Sequence, residues 1–114
     1  MLKLKRVTTY PVKIEFELDG LIEKGSFIIG DAKVRSREEM ESLRDYINKE
    51  KPKDSEVIPM LYENFHGVTS FEDGRNLTGS DAFKEICEGK LNSYLMGPCI
   101  SAYFNSFDAA KVKN

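Results

Sequence analysis

The stretch from Leu91 to Phe107 constrains the fold most, because it combines a helical apolar stripe with a helix breaker. The spacing i, i+3, i+4 and i+7, typical of one helix face, is occupied by Ile100, Tyr103, Phe104 and Phe107. Such a stripe must be covered, either by the core of its own domain or by a partner, and both interpretations stay open. Gly97-Pro98 predicts a kink or a fresh start of the helix, which Asn92 or Ser93 could cap.

Length and composition indicate one domain spanning residues 1–114. A chain of this size can bury roughly 65% of its unfolded surface, which is enough for a core without staples. We expect residues 1–8 and 109–114 to be flexible ends. Because no apolar run approaches the ~20 residues of a membrane span, and the basic start lacks a signal peptide's apolar core, we expect a cytoplasmic protein.

The N-terminal part predicts a β-hairpin. Residues Val12 to Leu18 alternate apolar and charged side chains, which is the pattern of a half-buried strand. Asp19-Gly20 then predicts a tight turn, and a second strand should run from Ile22 to Ile29 with Gly25 at a bulge. Gly30-Asp31 predicts another turn, and residues 32–35 could form a short strand or a linker.

A helix should begin at Ser36, since Ser36 and Glu39 form a capping box, and should end at Pro52. Residues 53–66 are less clear. Asp54 or Ser55 could cap a helix that extends to Phe65 and stops at Gly67, but Pro59 predicts a late start or a distortion near Ile58.

The C-terminal half adds a small turn and two more helices. Asp73-Gly74 predicts a miniature hairpin between Phe71 and Leu77. Ser80 should cap a helix over 81–88, which Gly89 ends. The predicted fold is therefore α+β: an N-terminal antiparallel hairpin, or a small sheet of three or four strands, packed against three to four short helices.

The residue types exclude most chemistry. His66 is the only histidine, and no sequence neighbour completes a catalytic triad. Cys87 and Cys99 have neither disulfide-framework nor CxxC metal spacing, so we interpret them as small buried residues. We expect no catalytic residues, no metal and no cofactor. A pocket that pairs His66 with a carboxylate would favour an enzyme instead.

Charge is distributed unevenly along the chain. Residues 1–53 have a balance of +2, whereas residues 54–110 have a balance of −6. Because nucleic-acid binding needs a clustered basic face, we expect neither nucleic acid nor a membrane as partner.

The order of these features resembles small tail assembly proteins of long-tailed bacteriophages, the tail assembly chaperone group. The resemblance covers residues 10–114 and consists of patterns of apolar positions and turns. It includes an amphipathic ribbon, a strand leading into a capped helix, and four short motifs: Phe65-His66-Gly67-Val68, Glu72-Asp73-Gly74, Ala102-Tyr103-Phe104 and the basic tail 110–114.

The resemblance implies a non-enzymatic protein of the host bacterial cytoplasm that keeps the tape-measure protein soluble while tail-tube subunits assemble. A homo-oligomer is also compatible with it. The candidate partner-binding residues lie on the ribbon edge and the last helix: Phe27, Ile29, Ile100, Tyr103, Phe104 and Phe107. The alternative is a small phage-encoded regulator or inhibitor of a host protein. It would act through one negative surface formed by Glu63, Glu72, Asp73, Asp81, Glu85 and Glu88.

Overall fold

A three-stranded antiparallel sheet carries the helices on one of its two faces. The computed structural model describes residues 1–18 and 20–113, with side chains as far as residue 108. The elements are β1 (Thr9–Glu15), β2 (Phe27–Lys33), α1 (Arg37–Glu50), α2 (Asp54–Leu61), β3 (Tyr62–His66), β4 (Val68–Thr69), β5 (Asn76–Leu77), α3 (Gly79–Glu88) and α4 (Asn92–Lys113). The strand order is β1-β2-β3, and β4 and β5 form a separate two-stranded sheet. The predicted α+β fold is confirmed.

Alternation in β1 defines the two faces of the sheet. Val12 and Ile14 are buried, whereas Lys13 and Glu15 are exposed, as the sequence pattern predicts. The register places Ile14 opposite Ile28 and Val12 opposite Gly30. Buried residues of both strands therefore share one face, here called the covered face, and their alternates lie on the other, here called the open face.

The connection between β1 and β2 is longer than predicted. It spans residues 16–26, so the expected second strand from Ile22 is wrong, and pairing starts only at Phe27. The carbonyl of Leu18 accepts from the backbone N–H groups of Leu21 (3.2 Å) and Ile22 (3.0 Å), which closes a wide turn. Gly25 lies in a turn at φ +85° rather than at a strand bulge, and Asp19 of the predicted tight turn lies outside the described residues.

The turn predicted at Gly30-Asp31 is also wrong, because both residues lie inside β2. A Cβ atom at Gly30 would lie 2.5 Å from Cε1 of Tyr62. Glycine is therefore needed here so that the Tyr62 ring can lie directly on the strand, and not because the chain turns. Of the residues predicted as a strand or linker, Ala32 and Lys33 belong to β2.

Helix α1 confirms its predicted capping box. The Glu39 N–H donates to Oγ of Ser36 (3.2 Å), and the Ser36 N–H donates to Oε1 of Glu39 (3.1 Å). These hydrogen bonds favour the ionised carboxylate and lower the pKa of Glu39. The helix ends at Glu50, and its C-cap Lys51 adopts the left-handed conformation (φ 47°) immediately before Pro52.

Helix α2 and strand β3 replace the predicted helix that was to extend to Gly67. The helix begins at Asp54 rather than late, contains Pro59, and stops at Leu61. The chain then pairs with β2, where Gly30 lies opposite Phe65. Pairing of β3 with β2 is favoured over continuation of the helix because the strand buries both Tyr62 and Phe65 under the helices.

The C-terminal elements follow the predicted order. The miniature hairpin around Asp73-Gly74 is confirmed, with Val68 opposite Leu77. Helix α3 begins at Gly79 after the N-cap Thr78, so the predicted Ser80 cap is wrong, but the end at Gly89 is confirmed. Helix α4 runs through Gly97-Pro98 without a fresh start. It continues because Leu95, Met96 and Ile100, on both sides of the proline, pack against the core.

A chain of aromatic rings crosses the core from α3 to α4. Successive ring centroids are 5.0, 4.8, 5.8 and 5.5 Å apart, in the order Phe83, Phe65, Tyr62, Tyr103 and Phe104. The hydroxyl of Tyr62 donates to the carbonyl oxygen of Cys99 at 2.6 Å. These contacts fix α4 against β3.

Candidate binding groove

The stripe of α4 predicted as a partner surface is mostly occupied by intramolecular contacts. Tyr103 is 0% exposed. Its hydroxyl donates to the carbonyl oxygen of Lys33 (2.8 Å) and accepts from Nη1 of Arg35 (2.9 Å). Burial is the main reason that the pKa of Tyr103 is raised. The Tyr103 side chain therefore serves the core in this conformation.

Phe104 and Phe107 lie beneath a cation from α1. The guanidinium carbon of Arg44 is 5.2 Å from the ring centroid of Phe104 and 5.8 Å from that of Phe107. Arg44 also donates to Oδ1 of Asp108 at 2.8 Å. Ile100 is half-buried and packs against the core. The α1 side of α4 thus carries a polar cover over partly buried rings.

Phe27 and Ile29 lie on the open face of the sheet, whereas the α4 residues lie on the covered face. The Nζ of Lys13 is 4.5 Å from the Phe27 ring centroid. The expected free ribbon edge near Phe27 to Ile29 is wrong, because β2 is the central strand and Ile29 lies between Lys13 and His66. The sheet consequently separates the six predicted residues into two groups.

A different apolar surface lies where the β1–β2 connection meets the miniature hairpin and the α3–α4 junction. This concavity, here called the hairpin-end groove, has a volume of about 580 Å³. Its wall includes Phe16, Leu21 and Ile22 of the connection, Phe27 and Ile28 of β2, residues 67–71, Glu85 and Ile86 of α3, and Leu91 and Leu95 at the start of α4.

Three apolar residues of the groove remain strongly exposed: Leu21 is 51%, Phe27 49% and Phe71 56% exposed. Phe27 belongs to β2, whereas Leu21 and Phe71 come from turns that are closed by backbone hydrogen bonds and glycines. Exposed apolar side chains around a concave apolar floor are typical of a site that binds another apolar segment.

The turn that carries Phe71 is braced by short-range hydrogen bonds. The Ser70 N–H donates to the carbonyl oxygen of Arg75 at 2.8 Å. The backbone N–H of Arg75 in turn donates to Oδ1 of Asp73 at 3.0 Å. That bond lowers the pKa of the exposed Asp73 carboxyl. The Phe71 N–H donates to Oε1 of Glu85, which ties the turn to α3. The position of Phe71 at the groove is therefore held from both sides.

His66 forms a pair with a carboxylate on the open face. Its Nε2 lies 2.7 Å from Oδ2 of Asp31, and the His66 side chain is about half exposed. The residue thus belongs to β3 and not to the helix end that the sequence predicted. The hairpin-end groove does not include it. A carboxylate partner is present, but it lies on an exposed sheet surface rather than in a pocket.

The two cysteines carry free thiols. Burial raises the pKa of the Cys99 thiol to about 12. Within residues 1–18 and 20–108, no three His, Cys, Asp or Glu side chains are grouped so that they could hold a metal ion. None of the described helices has the length and apolar character needed to cross a membrane.

A second concavity, of about 480 Å³, lies between the outer edge of β1 and α4. Its strand side includes Pro11 and Lys13, and its helix side includes Ala102 and Asn105. Pro11 lacks the N–H that strand addition would use, so this edge is poorly suited to pairing with another strand.

Of the six predicted partner-binding residues, only Phe27 lines the groove. Sequence reasoning missed Leu21 and Phe71 because they stand inside predicted turns. Leu21 follows Asp19-Gly20, and Phe71 precedes Glu72-Asp73-Gly74. An apolar side chain within a strong turn signal was the available cue, since turns lie at the surface and usually carry polar residues.

Comparison with known proteins does not assign the chain to a family. No family model, curated protein or solved structure matches it. Its function must therefore be argued from its own residues and geometry.

Proposed function

We propose that this chain is a non-enzymatic bacteriophage or prophage tail assembly protein that acts as a chaperone. It binds an apolar segment of the tape-measure or tail-tube protein in the hairpin-end groove, within the host bacterial cytoplasm. The observation that carries the proposal is the open apolar groove with Leu21 and Phe71 exposed beside it. The choice of partner rests on the resemblance of residues 10–114 to tail assembly chaperones.

The size and composition of the groove favour a peptide segment as its ligand. Residues 67–71 and Gly25-Ser26 line it together with apolar residues of the strands and helices. Apolar walls would cover the stripe of a partner helix or strand, and nearby polar backbone would fix its direction. An acidic body would help to keep such a complex dispersed, because net charge opposes association.

The α4 stripe is a competing location for the same activity. Phe104 and Phe107 are only partly buried, so a partner could displace Arg44 and contact the two rings. This requires breaking the Arg44–Asp108 ion pair, whereas the groove needs no such rearrangement. The groove is therefore the preferred site.

The test measures binding of the purified chain to the tape-measure and tail-tube proteins encoded by the same genome, using calorimetry. Phe71→Asp should weaken binding tenfold or more, because a buried charge replaces an apolar contact. Phe104→Asp should change affinity less, provided that circular dichroism shows a folded chain. Tyr46→Ser, at an exposed position of α1, is the control and should bind like the parent chain.

The outcomes separate the site from the function. If the parent chain binds neither tail protein, the proposed function is wrong. If binding occurs but only Phe104→Asp weakens it, the partner uses the α4 stripe and the groove assignment is wrong.

A second candidate function is a regulator or inhibitor of a host protein that binds through acidic residues. Asp81, Glu85 and Glu88 have the spacing of one α3 face, and Glu85 contacts the turn that leads into Glu72-Asp73. Five of the six predicted carboxylates therefore lie on α3 or on the turn that contacts it, and Glu63 lies on β3. Lys84 and Arg75 lie on the same elements and dilute the negative charge.

This alternative predicts displacement of DNA from a host DNA-binding protein by the purified chain. Asp81→Lys combined with Glu88→Lys should abolish displacement, whereas Phe71→Asp should leave it unchanged. The reverse pattern of sensitivity would favour the chaperone.

A further inference from the structure

The first eight residues form an arm with unusual side-chain exposure. Leu2 and Leu4 are each 82% exposed, and Val7 is also exposed. Lys3, Lys5 and Arg6 are interleaved with them, and residues 1–8 contain no Asp or Glu. The arm therefore presents apolar and cationic groups that none of the described core residues covers.

The hairpin-end groove is complementary to this arm in both respects. Its apolar floor would cover leucines. Glu85 is the charged residue of its wall, and the residues that adjoin the wall in sequence, within 16–28, 67–75 and 85–95, add further acid. In these segments six described carboxylates outnumber three described cations: Glu17, Glu23, Glu72, Asp73, Glu85 and Glu88 against Lys24, Arg75 and Lys90. A basic segment in which leucines are interleaved with cations fits such a surface better than an acidic segment would.

Chain length excludes binding of Leu4 to the groove of its own molecule. The arm leaves the sheet at Thr9, which lies opposite Lys33, whereas the groove lies beyond the Glu15–Phe27 end. The five steps from Leu4 to Thr9 span at most about 18 Å, but the six steps of β1 alone span about 20 Å. Leu4 would also have to reverse direction, so it falls short of the groove.

We propose that the arm of one copy binds in the hairpin-end groove of a second copy. Leu2 and Leu4 contact the apolar wall near Leu21 and Phe71, and Lys3, Lys5 and Arg6 face the surrounding carboxylates. This inference goes beyond the proposed function and does not rest on it, because self-association needs no tail protein. A tail protein that binds in the groove would displace the arm.

The placement of arm and groove allows the exchange to be reciprocal. They lie at opposite ends of β1, so two copies with antiparallel β1 strands place each arm beside the other copy's groove. Such an arrangement closes as a two-fold dimer and leaves no free arm for further growth.

Sedimentation equilibrium of the full chain tests the association. The parent chain should have the mass of a dimer. Leu2→Ser combined with Leu4→Ser should weaken dimerisation tenfold or more, because two apolar contacts are lost. Leu21→Ser combined with Phe71→Ser should have the same effect, and Tyr46→Ser is the control that should not. A monomeric parent chain, or an open series of larger species, would overturn the proposal.

A charge exchange tests the polar part of the contact. Lys3→Glu combined with Lys5→Glu should weaken the dimer, and adding Glu72→Lys and Glu88→Lys in the same chain should restore most of the affinity. High salt should weaken the parent dimer, because it screens the charged contacts. The apolar contacts of Leu2 and Leu4 are not screened. Failure of the compensating pair, with folded variants, would contradict the assigned orientation.

Paramagnetic relaxation distinguishes binding between copies from binding within one. A spin label is attached at Lys3→Cys in a Cys87→Ser background and mixed with ¹⁵N-labelled chains that carry no spin label. Amide signals of the groove, such as those of Phe71 and Ser26, should broaden in the labelled partner. Broadening that occurs only when label and ¹⁵N are on one chain, or broadening along α4 instead, would overturn the proposal.

Discussion

The covered face beneath α4 and the hairpin-end groove have similar side chains but different surroundings. On the α4 side, Arg35 and Arg44 come from the chain segment around α1 and contact the ring or hydroxyl of the aromatic residues. In the groove, Leu21 and Phe71 project from turns, and more than half of each side chain is exposed. The difference shows that the amount of apolar surface does not by itself favour a binding site. Exposure of that surface, among the described residues, is what makes the groove the candidate.

The largest effect is expected at the centre of the covered face. Tyr103→Ala should lower the free energy of unfolding by about 3–5 kcal/mol, because it leaves a cavity beside Tyr62 and removes the hydrogen bond to Lys33. Urea denaturation monitored by circular dichroism measures it. A loss below about 1 kcal/mol would mean that the face is not closed as described.

Crowding on the covered face should be nearly as costly. Gly30→Ala should destabilise the protein by about 1–3 kcal/mol, because its Cβ would overlap the buried Tyr62 ring. Gly97→Ala is the matched control in α4, where a Cβ meets nothing within 4 Å, and it should stabilise by up to about 1 kcal/mol. Equal effects at the two glycines would contradict this packing.

Alkaline pH should weaken the same face gradually. Burial raises the pKa of Cys99 from an ordinary value of 9.0 to about 12, and also raises those of Tyr62 and Tyr103. Between these limits the unfolded chain loses the thiol proton while the folded chain keeps it, so the free energy of unfolding falls as pH rises. Denaturation at several pH values should show a shallower decline for Cys99→Ala. An identical slope would exclude the thiol as a contributor.

Removal of the cation above α4 should have a modest effect. Arg44→Ala should cost about 1 kcal/mol, since the residue makes partly exposed ring contacts and one ion pair. Arg37→Ala, in the exposed first turn of α1, is the control. If Arg44→Ala also increases binding of an apolar dye, the cover rather than the rings limits access to α4.

The smallest effect on stability is expected in the groove. At a protein concentration where the chain is monomeric, Phe71→Ser should change the free energy of unfolding by no more than about 0.5 kcal/mol, because the side chain is mostly exposed. Phe65→Ser, at a buried position of β3, should be strongly destabilising by comparison. A large loss for Phe71→Ser would show that the groove belongs to the core.

Local patterns predicted several elements correctly. The alternation of β1, the Ser36–Glu39 capping box and the Asp73-Gly74 hairpin each depend on residues that are close in sequence. The groove could not be predicted in this way, because three separate segments of the chain form it. The predicted helix that carries the α4 stripe is correct, but the sequence left open whether the core or a partner covers the stripe.

The amino-acid sequence by itself determined the α+β class, the start and end of α1, and the helical stripe of α4. It could do so because capping hydrogen bonds and side-chain periodicity act over only a few residues. Tertiary structure decided that Tyr62–His66 is a strand, that Gly30 lies within β2, and that the α4 stripe is covered. Those outcomes depend on distant partners: Arg35 and Tyr103 are 68 residues apart, and Arg44 and Asp108 are 64 apart. Such contacts exist only after the chain has folded, so no local pattern encodes them.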